Sequence, residues 1–86
     1  MTEKIIDESY INTKLLTEED IILNFSFLYS YFVMWADSQN LNLTLRDIYK
    51  LYINKQITND GTPFFYNFIK FCKYMEVNKI YGFDTH

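Results

Sequence analysis

Chemistry at an active centre needs nucleophiles, bases or metal ligands that converge, and this 86-residue chain carries one cysteine, Cys72, and one histidine, His86. Cys72 lies inside an apolar stripe and His86 is the last residue, so no Cys/His nucleophile pair follows. Zinc wants about four Cys or His ligands, which the chain does not have. Two glycines supply no Gly-rich loop to cradle a phosphate. Glu18, Glu19 and Asp20 are consecutive carboxylates. Acids placed just before an apolar run belong to a helix start, where they complement the positive end of the helix dipole. The expectation is a protein that is not an enzyme, with no cofactor, no metal and no small-molecule substrate.

Binding is the chemistry these residue types do suit. On a 100° helical wheel the segment from Ile21 to Ala36 puts Ile21, Ile22, Phe25, Leu28, Tyr29, Phe32, Val33, Trp35 and Ala36 on one broad face. Leu23, Phe27, Tyr31 and Met34 form a second stripe opposite, set off by Asn24, Ser26, Ser30 and Asp37. One face builds a core; the other is expected to meet a protein partner or a second copy, through the aromatic and Met side chains that dominate interface centres. A further set, Tyr66, Lys70, Lys73 and Tyr74, shares the polar side of a helix from residue 63 to 76 and is the other expected partner-binding group.

An expectation of a different class comes from the order helix 45–55, turn, helix 63–76 and a short strand in 79–83, which is that of a winged helix-turn-helix. There the helix from 63 to 76 would enter the major groove with Asn67, Lys70 and Lys73 presented to the nucleic acid, and Arg46, Lys50 and Lys55 would add phosphate contacts. Three features weigh against it. The connection, about residues 56–62, exceeds the roughly 3 to 4 residues usual for the motif. The sequence pI is about 4.9, and no Arg lies on the candidate recognition helix.

The elements that must position these groups are marked by local signals. Thr17-Glu18-Glu19-Asp20 and Thr44-Leu45-Arg46-Asp47 are both helix starts, with Leu16/Ile21 and Leu43/Ile48 as hydrophobic staples. Asn59-Asp60-Gly61 is a break, and Thr62-Pro63 a third start. Helices are therefore expected over 18–37, 45–55 and 63–76, the first of them central. Residues 1–16 fit neither helical nor strand periodicity at length and are expected to form an arm, with room for a short helix, that lies over apolar surface. The fold class is all-α: a small three-helix bundle, one domain over 1–86, with an N-terminal arm and a short C-terminal tail.

Apolar residues make up 49% of the chain, and it holds eight Phe and eight Tyr with a single Pro, the composition of an ordered domain. Ile21 to Ala36 is shorter than the roughly 20 residues a bilayer span needs, and acids flank it, so no membrane span is expected. The opening residues lack a basic stretch followed by an apolar run, and one cysteine allows no internal disulfide, so a cytoplasmic, reducing setting is expected. The bias to Lys, Ile, Asn, Tyr and Phe is that of a small accessory factor or inhibitor from an AT-rich genome, viral or phage in kind. The net charge of −3 is unevenly spread, with the excess acid in the first half and the excess base in the second.

Overall fold

The computed structural model describes residues 6–39 and 43–80. Among them are five helices and no strand: α1 (Glu8–Thr13), α2 (Glu18–Leu23), α3 (Phe25–Ser38), α4 (Leu45–Ile53) and α5 (Pro63–Val77). The described part of the chain is thus all-α. Residues 81–86, which hold most of the expected tail strand, lie outside the described set.

Four of these five helices, all but α3, start where the first turn finds a side-chain acceptor. Thr17 accepts from the Asp20 N–H at 3.1 Å while its own N–H donates to Asp20 Oδ2 at 3.0 Å. Thr44 and Asp47 repeat this reciprocal arrangement at 3.1 and 3.0 Å. Two donors that the helix cannot satisfy are met in each case. At α5, Thr62 accepts from the Phe65 N–H at 3.3 Å, and Pro63 follows at the first helical position. The turn before it uses Gly61 at φ +85°, with the Gly61 N–H donating to Asn59 Oδ1 at 2.7 Å. Asp7 caps α1 in the same way, accepting from the Tyr10 N–H at 2.9 Å.

The long helix expected over 18–37 is broken at Asn24, whose backbone sits at φ −122°, ψ 27°. The Asn24 side chain donates to the Asp20 carbonyl at 3.0 Å, competing with the helix ladder, and its Oδ1 accepts from the Ile6 N–H at 3.4 Å. The break is therefore tied to the N-terminal arm, which residue periodicity could not reveal.

The core is Leu28, Phe32 and Ala36 of α3, Leu45, Ile48 and Tyr49 of α4, and Phe65, Phe68, Phe71, Cys72 and Met75 of α5, closed by Ile6, Ile11, Leu16 and Ile21. Rings bridge α3 to α5: Phe32 meets Phe68 at 5.5 Å and Phe71 at 5.2 Å, and Trp35 meets Phe68 at 5.2 Å between centroids. The expectation that the first helix is central is corrected. The core-building helix is α5, which packs α1 and α4 as well as the rings of α3, because its buried residues span a wider arc than one stripe.

Candidate interaction surface

The surface is built on the outer side of α3, with Leu23 at the end of α2 beside it in sequence. Leu23 is 44% exposed, Phe27 41% and Met34 67%, so three of the four residues of the second stripe face solvent. Tyr31 is half-buried: its hydroxyl donates to Glu8 at 3.3 Å and accepts from Asn12 at 3.3 Å, so α1 lies over this one member. The rings run on without a gap, Phe27 stacking on Tyr31 at 6.1 Å, Tyr31 meeting Phe64 edge-on at 6.1 Å, and Phe64 meeting Trp35 at 5.2 Å. Ile22 does not join the core face, as its wheel angle implied. It is exposed, on α2 before the break at Asn24, so a single wheel over 21–36 does not carry it. The exposed carboxylates Glu18 and Glu19 belong to α2 and Asp37 to α3, so both helices carry exposed negative charge.

The second group separates from the first. Phe64 and Phe68 of α5 face α3, and Tyr66, Lys70 and Lys73 lie on the opposite side of that helix, exposed. Tyr74 is half-buried, with its ring 6.2 Å from Phe25. The eight expected partner-binding residues thus divide between two surfaces.

Asn67 is corrected outright: it faces neither solvent nor any base. It is 1% exposed. Its Oδ1 accepts from the Leu16 N–H at 2.8 Å, and its Nδ2 donates to the carbonyls of Ile11 and Lys14, each at 2.8 Å. Lys70 adds a fourth tie, Nζ donating to the Leu16 carbonyl at 2.9 Å. These bonds hold the segment after α1 on α5, where a recognition helix would need a bare face for a groove. The connection from α4 to α5, residues 54–62, is also longer than a helix-turn-helix allows. Arg46 is half-buried, and Lys50 and Lys55 are exposed on or just after α4.

Titratable chemistry is sparse. Burial pushes the Cys72 thiol well up, with Glu76 adding to the effect, the reverse of what a nucleophilic thiolate needs. Burial also raises Tyr49, as does the Glu76 carboxylate, which accepts from its hydroxyl at 3.4 Å. Among the described residues no three His, Cys, Asp or Glu side chains cluster as metal ligands, and no helix is long and apolar enough to cross a membrane.

Fold and surface define a small all-helical domain with an aromatic cluster that reaches its exterior. Comparison with protein-family models, with curated proteins and with solved structures finds no match to this chain.

Proposed function

We propose that this domain is a non-enzymatic protein-interaction module, an accessory factor or inhibitor that inserts the outer side of α3 into an apolar cleft of a larger protein. The observation that carries the proposal is the exposure of Phe27 and Met34 on a helix whose other side already fills the core. Large apolar side chains left in water in one strip, and continuous with a ring cluster below, are the makings of an interface centre. Asp37, exposed on the same helix, suits a cleft with a basic group on its rim. The role belongs to a reducing, cytoplasmic setting, where a buried free Cys72 is stable.

The test is capture from an extract of the native host by the immobilised chain, with bound proteins identified by mass spectrometry. Phe27→Asp and Met34→Asp are expected to lose a protein that Lys73→Glu retains, with unchanged helical circular dichroism in all three. Identical capture by the parent chain and by Phe27→Asp refutes the proposal.

A further inference from the structure

A groove of about 270 Å³ between the start of α2 and the outer side of α5 carries both signs of charge. Glu18 stands on the α2 wall, Lys70 and Lys73 on the α5 wall, and Tyr74 and Val77 supply apolar lining. Val77 is 67% exposed. Lys70 directs one N–H into the Leu16 carbonyl, and among the described residues no ion pair engages Glu18 or Lys73.

An acidic segment seated in this groove is repelled by Glu18, and a basic one by the two lysines. A second copy of the groove, turned by a twofold axis, escapes both penalties. It sets Glu18 against the other copy's Lys73 and Lys73 against the other copy's Glu18, and it withdraws both Val77 side chains from water. From this geometry we infer that the chain forms a symmetric dimer through the α2/α5 groove, on the side of α5 away from Phe64 and Phe68. The inference does not rest on the partner proposed above, since Phe27 and Met34 do not line this groove.

Sedimentation equilibrium of the full chain over a concentration series tests it. The parent chain is expected to pass from monomer to dimer, and to dissociate as salt screens the exposed charges. Glu18→Lys and Lys73→Glu each place two like-charge contacts in the symmetric interface and are expected to weaken association about tenfold or more. An equimolar mixture of these two variants restores it, because each mixed pair carries two attractive contacts. Val77→Asp weakens association without touching the first turn of α2. A parent chain that stays monomeric throughout the series, or a mixture that associates no better than either variant alone, overturns the inference.

Discussion

Asn67→Leu removes the side chain that ties three main-chain groups of the N-terminal segment to α5. Leucine is close in size, so the position stays filled, but three hydrogen bonds to the main chain of Leu16, Ile11 and Lys14 vanish together. Each contributes about 0.5–1.5 kcal/mol net, and a buried main-chain group left without a partner costs about 1–3 kcal/mol. A loss of about 3–5 kcal/mol follows, against a total of roughly 4–13 kcal/mol for a domain of this length. At about 4–8 °C per kcal/mol, Tm falls by about 12 °C or more. The arm should go first: Leu16 amide exchange accelerates, and trypsin gains access after Lys14, before the helical signal is lost. Asn67→Asp is at least as damaging at neutral pH, because it keeps the acceptor for Leu16 but turns a carboxylate oxygen toward two carbonyls. A drop in Tm of less than about 4 °C with Leu16 exchange unchanged refutes the assignment of Asn67 as the group that holds the arm.

Two other outcomes follow from the buried titratable groups. Cys72, fully buried in the same core cluster as Phe68, Phe71 and Met75, is expected to resist alkylation in the native chain at pH 8 and to react fully in denaturant; equal rates in the two conditions would show the thiol to be accessible. Tyr49 is raised above the ordinary 10.0 by burial and by Glu76, so above that pH the unfolded chain releases a proton that the folded chain keeps. Its contribution is complete below pH 10.0 and is lost as pH rises through the higher folded value. Denaturant titrations across the alkaline range should therefore show a shallower fall for Tyr49→Phe, by at most about 1.4 kcal/mol per pH unit; parallel curves would remove Tyr49 from the alkaline response.

What could be read along the chain was whatever depends on neighbours within one or two turns. Thr17, Thr44 and Thr62 cap because a hydroxyl or carboxylate three residues away is within reach before any tertiary contact forms. The inward side of α3 was legible for the same reason, since Leu28, Phe32 and Ala36 repeat at the helical period and are buried. The outward placement of Phe27 and Met34 on α3 was equally a matter of spacing.

Asn67 shows where such reasoning stops. On the wheel it sits beside Lys70 and Tyr74 as one more polar residue, and nothing local distinguishes a solvated amide from a buried one. Its burial depends on residues 11–16, more than 50 positions earlier, folding back to present an N–H and two carbonyls. The break at Asn24 is only partly of this kind: its side chain donates to the Asp20 carbonyl one turn back and also accepts from the distant Ile6 N–H. Ile22 lies before that break, where a single wheel over 21–36 does not carry it. Capping and periodicity are short-range and are fixed by the order of residues. Which polar groups are sealed from water, and which apolar ones are left in it, was decided only when the arm closed on α5, since burial is a property of the packed whole.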